Sequence, residues 1–347
     1  MSYDGVSALI ALSGSALSAT TTFVVLICFA VWRNSHKSFR HALVFNLALA
    51  DFINSLSNTV SGIIYIRNHE LLAGPACTFG GWVGQLSVQA TDFSILAISL
   101  VTLAVVLQKG SAAEASTLRK TLICLSVWFI PLITSTVVAA LGAIKPVSGN
   151  WCWISKDRND LRYGLTHGWR FAIMLTTIIV YTYIWRHLSR TGLKFGDTSS
   201  TASRKGRSWH RGKNFTRSHD GDSQENLSTP LSFFDAKTSD DDQAMKLPVY
   251  HSEATVASDF IQEQKKKSNR EVKHMLLLSG YPIMYILLWI PSIVNRILEA
   301  TGSTAVSSRT LSLLQAPAQF VGFCNAVTYS LILILRGRMR ERNGMAN

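Results

Sequence analysis

Residues Cys77 to Leu107 read CTFGGWVGQLSVQATDFSILAISLVTLAVVL. The stretch is about as long as a tilted membrane helix with one extra turn at each end. Gln85, Gln89 and Asp92 sit inside its apolar run. Spacings of four and three place all three on one helical face. Facing lipid, each polar group would cost roughly 2–4 kcal/mol. That face must therefore meet protein or water, so other helices surround this one. The stretch reads as the central helix of an all-α, polytopic membrane protein.

Composition agrees. Only 16% of the 347 residues are charged, mean hydropathy is +0.20, and the charges cluster between long apolar runs. Soluble domains carry about 25% charged residues. The net charge of +13 could suggest nucleic acid, but the basic residues flank apolar spans as membrane topology requires. No zinc-like Cys or His spacing supports nucleic-acid binding, and no metal or cofactor is expected. The five cysteines do not form a disulfide scaffold: Cys28, Cys124 and Cys324 lie inside apolar spans, and only Cys77 and Cys152 fall in connecting regions. MSYDG has no basic n-region, so the first span is expected to act as the targeting signal.

Read in order, the spans are residues 6–32, 42–66, 77–107, 121–143, 165–185, 274–294 and 311–335. Residues 1–5 form a short outer terminus and 336–347 a short basic tail. By count, about 26 of the 34 Lys and Arg fall in the first, third and fifth loops, the tail and their flanks. The positive-inside rule then puts the N-terminus outside and the C-terminus in the cytosol. The loop 186–273 has a middle rich in Ser, Thr, Asp, Gly and Lys, which cannot bury enough surface to fold alone, so disorder is expected there. Two glycosylation-type triplets, at Asn214 and Asn226, fall in this cytosolic loop and read as chance matches. No internal repeat is present.

Cys77 and Cys152 share the outer, oxidising side and can pair; the alternative is two free thiols. A bridge would pin the second outer loop over the mouth of the bundle.

Together these features resemble the seven-helix G-protein-coupled receptors, from Val6 to Leu335 without the long loop. Asp51 in LALAD, Trp128, Trp289 and Pro291 in LWIP, and NAVTY (Asn325 to Tyr329) carry the likeness. NAVTY has alanine where the common motif has proline, and LVTLAVVLQKG ends span three without Asp-Arg-Tyr, so the usual cytosolic ionic lock is not expected. More closely, PACTFGGWVGQLSVQATDFSILAIS, NWCWI, YPIMYILLWIPSIVNRI and QFVGFCNAVTY resemble the cyclic-AMP-receptor-like family of fungi and social amoebae, related to the yeast glucose-sensing receptors. That resemblance implies a plasma-membrane receptor for an extracellular nutrient or cyclic-AMP-like small molecule, coupled through a heterotrimeric G protein to cyclic-AMP signalling.

Asp51 is an acid at mid-depth and needs partners. Asn325 is suited to meet it, directly or through water or sodium, as a switch with Trp289, Pro291 and Tyr329; a static clamp is the alternative. Pro291 removes a backbone hydrogen bond and kinks span six, although the same proline would also make a fixed kink. Trp82, Gln85, Gln89, Arg170, Asn295, Arg296, Gln315 and Gln319 are the expected ligand-cavity residues, with Asp92 engaged in a helix-to-helix bond. Arg162, Arg170, Arg296 and Arg309 lie near the outer mouth. They suit a phosphate or carboxylate, or snorkel to the interface. Lys109, Lys265, Lys266, Lys267, Arg270 and Lys273 are expected to meet a G protein, or equally anionic lipid.

Other classes fit less well. A transporter would favour repeated halves and broken helices, a retinal pump needs a lysine in the last span, and a hydrolase needs a clustered metal or nucleophile site. The sequence shows none of these.

Overall fold

A computed structural model describes residues 4–31, 39–107, 117–147, 151–190, 276–300 and 307–344. Seven long helical segments run through them. α1 is Gly5–Val31, α2 Phe39–Asn68, α3 Pro75–Val106 and α4 Thr117–Ala140. α5 is Asn159–Arg190, and α6 is Gly280–Ala300. α7 is composite: Ser308–Gln315, a 3-10 segment Ala316–Phe320, then Val321–Gly344. Between α4 and α5, β1 (Ile144–Val147) pairs antiparallel with β2 (Trp151–Ile154), with Pro146 opposite Cys152.

Six of these helices are long and apolar enough to cross a bilayer. α2 has the length, 30 residues, but Asn46, Asp51, Asn54 and Asn58 lower its apolar character. Its neighbours supply the environment, since it packs between α1 and α3 and also meets α7. α3 is the hub. It touches α2, α4, α5, α6 and both strands, and 56% of its most apolar stretch is buried, against 28–33% in the other five. Large apolar side chains such as Phe23, Phe129, Leu175, Ile179, Leu287 and Leu331 point outward. Backbone groups satisfied within helices and an apolar exterior are what hydrocarbon demands. This is a multi-pass membrane protein.

Several boundaries differ from the expected ones, each for a local reason. α5 begins at Asn159 rather than 165, because a π turn, Tyr163–His167, joins a first helical turn to the main helix. Gly168 follows it, where a Cβ would lie 2.6 Å from the Tyr163 carbonyl oxygen. α6 runs to Ala300, beyond 294. The tail 336–347 is helical as far as Gly344.

The seventh span is interrupted where Pro317 enters its 3-10 segment. Ser18 of α1 repairs the break: its Oγ donates to the Gln319 carbonyl (2.7 Å) and accepts from the Phe323 amide (3.1 Å). One hydroxyl thus replaces one missing helical bond.

Candidate functional site

Two buried carboxylates organise the interior. Asp51 on α2 is 4% exposed and accepts from neutral groups only: Thr91 Oγ1 (2.9 Å) on α3 and Asn325 Nδ2 (2.7 Å) on α7. Asp92 on α3 is 1% exposed and meets a cation. Arg170 Nε of α5 lies 3.0 Å from its Oδ2, and Tyr285 of α6 donates its hydroxyl to Oδ1. The Arg170 guanidinium also sits 3.7 Å above the Trp289 ring, a cation–π contact. Asp92, Arg170, Tyr285 and Trp289 therefore tie three helices into one polar knot.

The roof is the hairpin. Cys77, at the start of α3, is bonded to Cys152 of β2. The hairpin lies hard against the helix at Gly81, where a Cβ would sit 2.9 Å from the Cys152 carbonyl oxygen. Trp153 donates to Gln85 Oε1 (2.6 Å), and the Arg162 and Arg296 guanidinium groups stand 5.2 and 5.4 Å from the centre of its ring. His167 meets the same ring edge-on at 5.0 Å.

Beneath the roof lies a cavity with about 880 Å³ of empty space, open solvent at its mouth included. The strand residues Trp151 and Trp153 cover it. Asn54, Asn58 and Ser57 line it from α2, His167 and Arg170 from α5, Trp289, Ser292 and Arg296 from α6, and Gln315 and Gln319 from α7. A second, smaller cavity of about 340 Å³ surrounds Asp51, and Asn54, Val88, Trp289, Ala318 and Gln319 line both. A pocket of this size with a few converging polar groups is the usual form of a small-molecule site.

Residues 5–195 match the Git3 family, described as "G protein-coupled glucose receptor regulating Gpa2". The chain belongs to this family. It is 23% identical to the ascaroside receptor GPR3 of Arthrobotrys oligospora, across 92% of this chain and 83% of that one. Similarity to cyclic AMP receptor 4 of Dictyostelium discoideum is higher, 44%, but confined to 62 residues, 16% of this chain and 14% of that one. In three dimensions the chain resembles squid rhodopsin, with TM-score 0.57, 15% identity, and 94% of this chain and 79% of that one covered. The fungal and amoebal receptor resemblance drawn from the sequence therefore holds, and the seven-helix fold with it.

The receptor's structure divides the expected ligand residues. Arg170, Arg296, Gln315 and Gln319 line the cavity. Gln85 and Gln89 do not: both are buried and spent on helix ties. Gln85 Nε2 donates to Thr166 Oγ1 (2.7 Å), and Gln89 donates to the Leu165 carbonyl and accepts from Thr134. Trp82 is also outside the cavity, stacked on Phe79 with its Nε1 on Thr136. Asn295 is buried elsewhere on α6. For Gln85, Gln89 and Trp82 a polar or amphipathic side chain on an inner helix is used for contact between helices. The four outer arginines also separate: Arg309 pairs with Asp4 at 3.4 Å, away from the others.

Of the expected switch residues, Asp51 and Asn325 are bonded, Trp289 borders both cavities, Pro291 lies within α6 and Tyr329 is buried against Phe29. The residues expected to meet a G protein, Lys109, Lys265, Lys266, Lys267, Arg270 and Lys273, with most of the loop 186–273, lie outside the described residues.

Sequence reasoning missed His167, Ser292, Tyr285 and Trp153 as site residues. A signal for the three helical ones existed. Tyr285, Trp289, Ser292 and Arg296 are spaced by four, three and four, and Tyr163, His167 and Arg170 by four and three, each set marking one polar stripe on an apolar helix.

Proposed function

We propose that this receptor sits in the plasma membrane with its N-terminus and hairpin outside, binds an extracellular small molecule in the roofed cavity, and activates a heterotrimeric G protein that modulates cyclic-AMP signalling. One observation carries the reading: Trp289 borders both the outer cavity and the Asp51 pocket. A molecule bound above displaces or holds Trp289, and the α6 segment around Pro291 responds. Pro291 offers no amide hydrogen to the Leu287 carbonyl, so the helix is soft there. The Asp51–Asn325 contact then rearranges between α2 and α7. The Cys77–Cys152 bond supports the orientation, since such bonds persist on the oxidising side. The relatives' names point to glucose, ascarosides and cyclic AMP as ligands of those proteins. Here they set the class, a small polar metabolite. The lysine and arginine residues flanking the long loop, with Lys109, are the proposed G-protein contact.

The test is nucleotide exchange on a purified Gα subunit with the full chain in nanodiscs, alongside cyclic AMP in cells expressing it. Accelerated exchange is expected. Unaltered exchange together with uptake of labelled solute by the chain would replace the receptor reading with a transporter.

A further inference from the structure

The cavity's polar groups are distributed unevenly. Along the α5 and α6 wall, four groups are buried without a hydrogen-bond partner: Arg170 Nη2, His167 Nε2, Trp289 Nε1 and Ser292 Oγ. All four residues line the cavity. Arg170, His167 and Ser292 are 3%, 3% and 5% exposed. Arg170 Nη2 and Trp289 Nε1 can only donate and Ser292 Oγ can donate; a buried donor left unmatched is costly, and a cluster of them marks a place where an acceptor belongs. Arg296 adds a second guanidinium to the same wall, and no Asp or Glu is among the described residues that line the cavity. The facing wall differs. From α2 and α7 it presents the amides and hydroxyls of Asn54, Ser57, Asn58 and Gln319, with Asn58 Nδ2 already on Gln319 Oε1 at 3.1 Å. Amides and hydroxyls both donate and accept, which suits neutral hydroxyl groups.

We infer that the cavity takes a hydroxylated organic anion, with its carboxylate or phosphate received by Arg170, Ser292 and Trp289 and its hydroxyl-bearing body against α2 and α7. The inference rests on the receptor reading and refines it. Arg170 is the specificity residue. Its Nε is committed to Asp92, so only the outer arm of the fork is offered to a ligand, and a guanidinium divides between two oxyanions in this way where an ammonium does not. The same guanidinium covers the Trp289 ring, so an arriving anion acts directly on the side chain shared by the two cavities.

The test uses the full chain in nanodiscs, reading thermal stability and tryptophan fluorescence. The probes are D-glucuronate, D-glucose 6-phosphate and adenosine 5′-monophosphate, each set against its uncharged counterpart, D-glucose or adenosine. At least one anion is expected to stabilise the protein and change its fluorescence at millimolar concentration, at least about tenfold more tightly than its neutral counterpart. The carboxylate and phosphate arms show which head group fits. Arg170→Lys keeps a cation against Asp92 and removes the outer arm. Arg296→Gln leaves the Asp92 pair untouched. Each should weaken the anion by about tenfold or more, and Arg296→Gln should do so while the unliganded melting temperature stays near that of the wild type. Anions no better than their neutral partners, anion binding that survives both substitutions, or no anion effect at all would each overturn the inference. Nucleotide exchange by the wild-type chain is read independently of these binding measurements, so the receptor reading stands or falls separately.

Discussion

Asp51 and Asp92 are both buried carboxylates at the centre of one helix bundle, yet they are held in opposite ways. Asp92 faces a guanidinium and a phenol; Asp51 faces a hydroxyl and an amide, beside a cavity. A buried ion pair resists change, because losing either partner strands the other charge in low dielectric. Neutral partners can be exchanged more cheaply, and water has room to enter beside Asp51. The difference suits Asp92 to holding three helices together, and under the proposed mechanism it puts the rearranging contact at Asp51.

That contrast is broken most severely at Asp92. Replacing it with Asn leaves Arg170 without its counter-charge, and destabilisation of about 3–5 kcal/mol is expected. Thermal unfolding of the full chain in nanodiscs reads it. Pairing Asp92→Asn with Arg170→Gln removes both charges and should recover much of the loss. A single variant as stable as the wild type would show that the pair does not hold the bundle.

The roof comes next. The bond between Cys77 and Cys152 spans 75 residues of sequence. Changing both cysteines to Ala should cost about 2–4 kcal/mol, concentrated where the hairpin meets α3. Hydrogen exchange should rise across Trp151–Ile154 and stay unchanged near Asp51. Equal loss at both places would mean that the roof and the lower pocket open as one unit.

The bundle and its hub were legible because lipid leaves few choices. A mid-span Gln, Gln, Asp stripe must face inward, and that alone made α3 central. What each inward group touches was not legible. Gln85 and Gln89 satisfy the same periodicity as a cavity wall, but they tie α3 to α4 and α5, because an amide serves a neighbouring helix as readily as a ligand. Arg170 was read as a ligand residue near the mouth; its partner Asp92 is 78 residues away in sequence, a pairing that no local pattern encodes. The Ser18 bridge into α7 was hidden for the same reason.

That bridge yields a smaller effect. Ser18→Ala leaves the Gln319 carbonyl and Phe323 amide unmatched beside the Asp51 pocket. About 1–2 kcal/mol of destabilisation is expected, with faster exchange of the Phe323 amide. If α7 instead closes its own helical bond, exchange there will not rise.

The mildest change in stability, and the sharpest test of the contrast, is Asp51→Asn. Both groups on Asp51 donate to it, so an amide NH₂ in place of one oxygen would face Asn325 donor to donor. Asn325 has a remedy: its Oδ1 is buried without a partner, and rotating the amide presents that oxygen to the new NH₂. The hydrogen bond is kept and a buried charge is removed, so stability should change by no more than about 1 kcal/mol. Under the proposed mechanism signalling should not be spared, because the charge at the contact between α2 and α7 is gone. The expected result is a nearly unchanged melting temperature with a several-fold shift in the dose response of Gα nucleotide exchange. An unchanged response would make the Asp51–Asn325 contact a static clamp of the same kind as the Asp92 pair, and the distinction between the two carboxylates would dissolve.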